Sequence, residues 1–491
     1  MMAVCGTAQT LSVVTGSTVY DQYPAAQAGT MTYSSGSTLT ILNKTYSLSD
    51  ITRMYTDETS VTDNQVSVIY SGTEASVYVA GNVAQYVEVT VSGAKVYVNQ
   101  TNTDAVDGDE ITYVLSGTST DGQFALDGSY KCTIALNGVT LTNQSGAAIS
   151  IGNKKRIQLS AKSGTTNTLA DCAGGSQKGC VYSKGQLQLQ GNGTLNVSGL
   201  TAHAIKSGDY ISVKNLTLNI TKAVGDGINC EEYFQMKSGT VTISGVGDDG
   251  IQCDLGGDTS TGETEDHEDE DSGNIYIEGG SLSVTSTKGE GIESKGELMI
   301  SGGSVTVNAK DDAINAASHL TISGGTVYAC STGNDGIDAN GNCYIKGGLI
   351  FAIGARQPEV AIDANTERNF KLYVEGGTII AIGGLERGSS LTQSCYQTSS
   401  WSTNKWYALT IGDETIAFKT PSSGGNGLVV SASTQPTLKQ NVTVGDGTSV
   451  FGGNGYTNAT VSGGTTVTLS NYSGEGGGPG GGGGPGGGPW W

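Results

Sequence analysis

Apolar and polar residues alternate along most of the chain, and the alternation recurs with a fixed period. An isoleucine flanked by small and polar residues returns at steps of 23, 23, 41, 22, 23 and 25 residues. Alternation with a period of two predicts short, half-buried strands around these positions. The repeating isoleucines are Ile205, Ile228, Ile251, Ile292, Ile314, Ile337 and Ile362.

A second segment repeats with the same period and carries a pair of glycines. Residues 298–303 read Leu-Met-Ile-Ser-Gly-Gly and lead into the alternating strand 304–307. A Gly-Gly pair provides a turn. Three strands and three turns in about 23 residues describe one coil of a solenoid whose coils stack at the ~4.8 Å strand spacing. We therefore predict an all-β fold, a right-handed parallel β-helix.

The extent of the period divides the chain into segments. The β-rich stretch before the repeats predicts a separate β-domain or a cap, and the one after them predicts a region that caps the open end or packs along the side. The segments are a signal-peptide remnant at 1–8, the N-terminal β-region at 9–106, the β-helix at 107–385, the C-terminal β-region at 386–470 and a disordered Gly/Pro tail at 471–491.

Composition narrows the classes of function. The chain has 491 residues, 76 of them glycine, and a net charge of −21. So many glycines disfavour long helices, and so few basic residues disfavour nucleic acid as a partner. No segment is long and apolar enough to span a membrane. Gly6-Thr7-Ala8 has the small-x-small form of a signal-peptidase site, so we expect a protein that is secreted or held at the cell surface. We also expect it to be a monomer.

Acidic and amide side chains occupy fixed offsets from the repeating isoleucines, so the predicted fold stacks them in columns. Two carboxylates ~4.8 Å apart repel by ~3.5 kcal/mol at an effective dielectric of ~20. Calcium prefers such oxygen ligands, and three histidines are too few to favour zinc. The predicted calcium ligands are Asp226, Asn229, Asp248, Asp249, Glu290, Glu293, Asp311, Asp312, Asn315, Asp335, Asp338 and Asp363.

Within this set we expect Asp226 to group with Asp248 and Asp249, and Asp311 and Asp312 to group with Asp335 and Asp338. The alternative is that aspartate and asparagine occupy these turns for local hydrogen bonds. The insertion Asp258–Ser272, which holds eight acids, predicts a solvated loop.

Three tyrosines share an outward offset in the glycine-pair segment: Tyr276, Tyr344 and Tyr373. Exposed tyrosines on a flat sheet can stack on sugar rings, so they are candidate carbohydrate-binding residues. The alternative is that a neighbouring segment covers them. Cys230 and Cys253 lie at equal offsets in adjacent repeats, where a disulfide and a pair of stacked thiols are equally compatible with the spacing.

The segments Asp-Asp-Gly-Ile-Gln, Asp-Asp-Ala-Ile-Asn and Asn-Asp-Gly-Ile-Asp at 248–252, 311–315 and 334–338 resemble the calcium-binding turns of family nine pectate lyases. They are still more similar to the bacterial family of carbohydrate-binding domain-containing proteins. The resemblance covers roughly residues 110–385. It implies calcium on the Asp-rich turns and binding to cellulose-like or acidic, pectin-like glycans.

Catalysis is where the chain departs from the lyases. Such a lyase uses a basic residue to remove a proton from the uronate, but Lys288, Lys295 and Lys310 form no repeated column. We therefore expect binding without turnover. A calcium-dependent polysaccharide lyase and a structural or adhesive surface solenoid are the alternatives.

Overall fold

A computed structural model of the protein describes residues 9–29, 31–256 and 272–474. In this part of the chain the fold is all-β, as predicted. The helical elements there are three short 3₁₀ turns, and none approaches the length and apolarity of a membrane-spanning helix. The predicted signal-peptide remnant, most of the acidic insertion and nearly all of the tail lie outside the described residues. The 3₁₀ turns are Ala84–Tyr86, Thr366–Arg368 and Phe451–Gly453.

Eleven strands form one sheet, the isoleucine ladder, in which the repeating isoleucines stack. Its first two strands are antiparallel, and every later strand pairs in parallel with the strand one repeat before it. Isolated parallel bridges add Ile362 and Leu385. The strands are Val87–Ser92, Lys95–Gln100, Gln123–Gly128, Ile149–Ile151, Gly179–Ser183, His203–Ser207, Ile228–Cys230, Ile251–Cys253, Ile292–Ser294, Ile314–Ala316 and Ile337–Ala339.

A second parallel ladder belongs to the large sheet and carries the strands before each glycine pair. Both it and a third ladder begin at two long strands, Ile111–Ser119 and Cys132–Asn143. The strands of the second ladder are Ile157–Ala161, Leu187–Gln190, Ile211–Lys214, Tyr233–Met236, Asn274–Ile277, Leu298–Ile300, Leu320–Ile322, Cys343–Ile345, Leu372–Val374 and Ser390–Leu391.

The third ladder, in the same sheet, carries the strands after each glycine pair. In Ser304–Ala309 alternate side chains are buried, which is the period-two pattern of the sequence. The strands are Thr166–Asp171, Thr194–Gly199, Thr217–Ala223, Thr240–Val246, Ser281–Ser286, Ser304–Ala309, Thr326–Ser331, Leu349–Ile353 and Thr378–Ile382.

The glycine pairs make the turn between the second and third ladders. At 302–303, a side chain on the first glycine would place its Cβ 2.3 Å from the Glu278 carbonyl oxygen of the repeat before. The second glycine has a φ of 80°, a left-handed conformation that glycine adopts without strain. The predicted role of the pair as a turn is confirmed.

One apolar core joins the three ladders and reaches beyond them in both directions, from Leu11 to Val429. The repeating isoleucines have no exposed surface. At the N-terminal side, Lys95–Gln100 pairs in parallel with Gln123–Gly128, so pairing continues across residue 106. The N-terminal strands are Thr10–Thr15, Val19–Pro24, Ile51–Asp57, Gln65–Ser71 and Glu74–Ala80, with a separate small sheet of Thr32–Ser34, Thr38–Ile41 and Lys44–Ser47.

The C-terminal region lies both at the end of the third ladder and along its side. Leu428–Ser431 pairs antiparallel with Thr378–Ile382 and with Cys395–Thr398, which in turn pairs with Ser470–Tyr472. A six-stranded antiparallel sheet then packs on the outer face of the ladder, where Phe351 contacts Phe418 at a ring distance of 5.4 Å. Its strands are Trp406–Ile411, Glu414–Lys419, Thr437–Val444, Thr448–Val450, Gly455–Thr457 and Val461–Val467.

The stacked cysteines are thiols. Cys230 and Cys253 face each other in register, and their sulfur atoms are 3.3 Å apart, a hydrogen-bond distance and well beyond an S–S bond. Both side chains are fully buried, and burial raises the pKa of the Cys253 thiol well above its usual value. The structure therefore selects the thiol pair from the two arrangements that the spacing allowed.

Candidate functional site

The isoleucine ladder places the predicted polar columns on its outer face. Directly after each ladder isoleucine, Asn229, Gln252, Glu293, Asn315 and Asp338 face one another in register. Two residues before five of the isoleucines lies a second column of carboxylates: Asp226, Asp249, Glu290, Asp312 and Asp335. The predicted stacking of side-chain oxygens is confirmed, and the outer face of this ladder is the candidate site.

In the second column, one oxygen of each aspartate holds the next repeat. Asp226 accepts a hydrogen bond from the Asp249 amide N–H at 3.2 Å, and Asp312 accepts one from the Asp335 N–H at 2.8 Å. Asp249 accepts the Glu290 N–H at 2.8 Å in the same way. The local hydrogen bonds expected of aspartate in these turns are therefore present, and they link one repeat to the next.

The other oxygen of the same aspartates is bound by an amide three residues later. Asn229 donates to Asp226 Oδ2 at 2.8 Å, and Asn315 donates to Asp312 Oδ2 at 3.0 Å. Each of these amides also reaches the neighbouring repeat, where Asn315 donates to Asp338 Oδ2 at 3.1 Å. The amides thus supply donors to a carboxylate column that has few cations.

Three repeats carry an acid in place of this amide: Glu293, Asp338 and Asp363. Glu293 follows Glu290, but it forms an ion pair with Lys295 and accepts the Gln252 amide at 2.6 Å. Asp338 follows Asp335, and no lysine or arginine of the described chain forms an ion pair with either. Negative charge is therefore least compensated at the last repeats.

Three carboxylates meet there and form what we call the distal acidic group: Asp335, Asp338 and Asp363. One oxygen of each lies within 4.8 Å of the others. The expected partners of Asp335 and Asp338 were Asp311 and Asp312, but it is Asp363 that completes the group. Asp311 instead accepts the Asn334 amide at 2.9 Å.

A proximal acidic group has the membership that the spacing predicted: Asp226, Asp248 and Asp249, again with oxygens within 4.8 Å. It differs from the distal group in its donors. The amides of Asn229 and Gln252 both donate into it, at 2.8 and 3.2 Å, whereas His203 Nδ1 accepts the Asp226 N–H at 3.1 Å. A cation would have to displace these donors.

Burial raises the pKa of several column carboxyls, among them Asp312, Asp335 and Asp363. It lifts the pKa of Asp312 to about 8, with repulsion from Asp338 adding to the effect. Burial likewise lifts the pKa of Asp335 to about 7. Asp363 also has a raised pKa, through burial and a hydrogen bond shared with the Glu386 carboxyl. The charged forms of these three carboxyls are thus disfavoured at neutral pH, and a bound proton or cation would remove that cost.

The pKa values predict how stability depends on pH in chelator-treated protein. A carboxyl with a raised folded-state pKa binds its proton more tightly in the folded than in the unfolded state. Its contribution is present at acidic pH and is lost as pH rises from the usual aspartate pKa, near 3.8, through the folded values near 7 and 8. We expect the melting temperature without metal to fall between pH 5 and about pH 8.5.

A thermal melt series in EDTA across this range measures the effect. An Asp312→Asn, Asp335→Asn double variant is the comparison, because it cannot titrate at these positions. A wild-type melting temperature that rises over the range, or a slope that the double variant fully retains, contradicts the prediction.

Sequence reasoning missed three charged residues of this face. Lys206 lies directly after Ile205 in the same column, and its buried Nζ donates to Asn229 Oδ1 at 2.6 Å and pairs with Glu231 at 2.7 Å. Burial raises the pKa of Asp254, and the positive charge of nearby Lys206 offsets part of this increase. The offset of Lys206 was the signal that could have revealed it.

The tyrosine column is formed, with Tyr276, Tyr344 and Tyr373 at equivalent positions of the second ladder. Tyr344 and Tyr373 are half-buried and stack at 4.9 Å with an interplanar angle of 12°, and Lys346 lies 5.1 Å from the Tyr344 ring. Tyr276 differs, because it is only 6% exposed and packs in a cluster with Tyr210 and Tyr233. The expectation of an exposed ring is wrong for Tyr276.

The chain belongs to the family of carbohydrate-binding domain-containing proteins, whose family model matches residues 92–289 and 272–472. It is similar to a carbohydrate-binding domain-containing protein of Acetivibrio thermocellus, with 27% identity over 121 residues. That match covers 20% of this chain and 42% of the relative, so the chain spans less than half of the relative's length.

Among solved structures, the chain is similar to a polysaccharide lyase-like protein from C. thermocellum, determined as a gadolinium derivative. The identity is 19% and the TM-score is 0.38, over 58% of this chain and 93% of the other.

Proposed function

We propose that this is an exported protein that binds polysaccharide in a calcium-dependent manner and does not cleave it. Membership of a carbohydrate-binding family supports the polysaccharide ligand. The observation that carries the calcium dependence is the distal acidic group, where three carboxylates converge without a basic partner in the described chain.

We further infer that the repeats wind as a right-handed parallel β-helix. Three ladders advance together by one repeat of about 23 residues and enclose a shared core. Parallel strands joined by a crossover are right-handed in about 98% of cases, which supports the hand.

The carboxylate oxygens of the distal acidic group are suitable calcium ligands. Calcium takes 6–8 oxygen ligands, and Asp335, Asp338 and Asp363 each bring one carboxylate oxygen within 4.8 Å of the others at a partly buried place. One Asp335 oxygen is held by the Val360 N–H at 2.5 Å, which fixes the orientation of that carboxylate. When bound, calcium supplies a positive charge that stabilises the ionised form of these carboxyls. It can also join protein carboxylates to those of an acidic sugar. The same side chains would otherwise hold protons.

The state of the lysines supports binding without cleavage. Lys295, the lysine beside the acidic column, is paired with Glu293. Burial lowers the Lys295 pKa, but the hydrogen bond and charge of Glu293 outweigh it, so that the net pKa is raised. A general base must give up its proton near neutral pH. Lys295 is therefore poorly suited to remove the uronate proton in the lyase alternative.

The stacked pair Tyr344 and Tyr373 is the second element of the proposal. Two parallel rings on the second ladder offer an apolar edge to a sugar ring, and Asn342 fixes the Tyr344 hydroxyl at 3.0 Å. We propose these two tyrosines as carbohydrate contacts and leave the buried Tyr276 out of the contact surface.

A glycan array run with 1 mM (roughly physiological extracellular) calcium and with EDTA tests the function. We expect binding to acidic or cellulose-like glycans in calcium and its loss, about ten-fold or more, in EDTA. Absorbance of unsaturated uronate ends should stay at baseline on incubation with polygalacturonate and calcium. No bound glycan in either buffer would favour a structural solenoid, and new absorbance would favour the lyase.

A further inference from the structure

The C-terminal region forms a cavity against the last repeats that the sequence did not indicate. Its volume is about 340 Å³, and it opens to solvent. The cavity lies between the loop 354–361, which leads into Ile362, and two segments of the C-terminal region. It is lined by Arg356, Ser399, Ser400, Trp401, Gly424, Gly425, Asn426 and Gly427.

We infer that this cavity binds a sugar residue that carries a carboxylate, with Arg356 pairing to the carboxylate. The inference rests on the proposed function and specifies the class of glycan: uronate-containing, in preference to neutral and cellulose-like. The columns of repeated residues do not predict this cavity, because its lining residues lie outside the strands of the repeats.

Charge is the first support. The chain has 46 acidic and 25 basic residues, so a uronate polymer is repelled by most of its surface. Arg356 is exposed, and no carboxylate of the described chain pairs with it. The other lining residues are neutral, so the guanidinium is the one charge in the cavity wall. Its planar fork matches a carboxylate with two parallel hydrogen bonds.

The neutral part of the lining is the second support. Trp401 offers an aromatic surface of the kind that packs on the apolar face of a pyranose ring. Ser399, Ser400 and Asn426 bring hydroxyl and amide groups that can bind sugar hydroxyls. A small inorganic anion would use the arginine and leave the aromatic wall without a role.

The wall is fixed before any ligand arrives. The Trp401 indole N–H donates to the Gly425 carbonyl at 2.9 Å. The ring packs against a second apolar cluster, which includes Phe351, Ile353, Ile382 and Phe418. Gly425 lies so close to the ladder that a Cβ there would be 2.6 Å from the Ala355 carbonyl oxygen. Its N–H also donates to the Gly354 carbonyl at 2.9 Å. A preformed wall lowers the entropy lost when the ligand binds.

The cavity and the distal acidic group share the loop 354–361. Arg356 lines the cavity, and four residues later the Val360 N–H binds Asp335. The loop is also held by the Ala355 N–H, which donates to the Asn334 carbonyl at 2.8 Å. A uronate chain that lies along this loop meets the arginine at one end and the acidic group at the other.

The test compares oligogalacturonate with its fully methyl-esterified form, whose carboxyl groups carry no charge, titrated in calcium by isothermal calorimetry. We expect the wild type to prefer the acidic probe. Arg356→Gln should weaken binding of the acidic probe about ten-fold or more, because the charged hydrogen bond to its carboxylate is lost. The affinity for the esterified probe, which makes no such bond, should not change. Arg356→Lys should recover part of the loss, because it keeps the charge without the fork.

Arg53→Gln is the matched control, an exposed arginine in the N-terminal region that lies beside Tyr55. It should bind both probes as the wild type does. Melting temperatures of the variants show that the fold is retained, and Trp401→Phe, which keeps an aromatic surface, avoids the loss of packing that alanine would cause.

The outcomes separate the two proposals. If the wild type binds glycans but Arg356→Gln binds the acidic probe equally well, this inference fails and the proposed function stands. The same holds if the wild type prefers the esterified or a neutral probe. If the wild type binds no glycan, both fail.

Discussion

Chelation of calcium is expected to lower the melting temperature of the wild-type protein, and Asp338→Asn is expected to remove most of that response. A ligand that binds only the folded state at 100 times its Kd stabilises it by about 2.7 kcal/mol. Asp338 lies in the distal acidic group, whose other two members are also carboxylates. Losing one of three charges should cost the site most of its affinity for calcium.

The same substitution should act in the opposite direction without metal. Asn315, at the equivalent position one repeat earlier, donates to Asp312 Oδ2 at 3.0 Å. An asparagine at 338 can bind Asp335 in the same way, so Asp338→Asn should raise the melting temperature in EDTA. This opposite effect in the two buffers makes the prediction specific to the calcium site.

Asp311→Asn is the matched control, since Asp311 lies on the same face but outside both acidic groups of the described chain. It should keep the calcium response of the wild type. Differential scanning fluorimetry in calcium and in EDTA provides the measurement. Equal melting temperatures of the wild type in the two buffers would contradict the calcium proposal.

Ile314→Ala is expected to lower the free energy of unfolding by about 2–5 kcal/mol, the range of large-to-small changes in tightly packed cores. Ile314 has no exposed surface and lies between Ile292 and Ile337 of the neighbouring repeats. The β-branched side chains stack directly, and a shortened one leaves a cavity that the hydrogen-bonded ladders on either side keep open.

Urea unfolding followed by circular dichroism measures the change. Thr321→Ala is the comparison, because Thr321 lies half-buried on the outer face of the second ladder, and there a change within about 0.5 kcal/mol is expected. An Ile314→Ala loss below about 1 kcal/mol would show that the isoleucine stack is not tightly packed.

The repeats were predictable because their geometry depends on the period alone. Once Ile251 pairs with Ile292, the register of Gln252 and Glu293 follows without further information. The glycine pairs were also readable, since Gly303 has to adopt a left-handed φ. Local rules and the ladder agree at these positions, so the sequence pattern and the structure agree as well.

The spacing of the residues predicted which side-chain oxygens lie near each other. It did not predict which of these side chains donate hydrogen bonds and which accept them. Asn229 and Asn315 had been expected as calcium ligands, and they donate to carboxylates in the structure. An amide offers both an oxygen and two N–H donors, and only the orientation of the side chain decides between them. The pattern of residue types could not provide that orientation.

The C-terminal region lacked a period, so its contacts depended on long-range packing. A signal was nevertheless present in the strands Leu349–Ile353 and Thr378–Ile382, which are almost continuously apolar. A strand without polar positions has both faces covered. The second apolar cluster on their outer face is that cover, and the loops that complete it create the cavity around Arg356.

The acidic insertion shows how this architecture can change during evolution. The Asp254 N–H binds the Cys230 carbonyl, and the Gly273 N–H binds the Glu232 carbonyl, so the chain leaves and rejoins the ladders over positions only two residues apart in the repeat before. Extra sequence at this junction does not disturb the stacking of Ile251 on Ile292. A segment inserted at this junction, between the isoleucine ladder and the second ladder, therefore leaves the register of the neighbouring repeats intact. The junction after residue 254 is also the natural place to graft a foreign peptide.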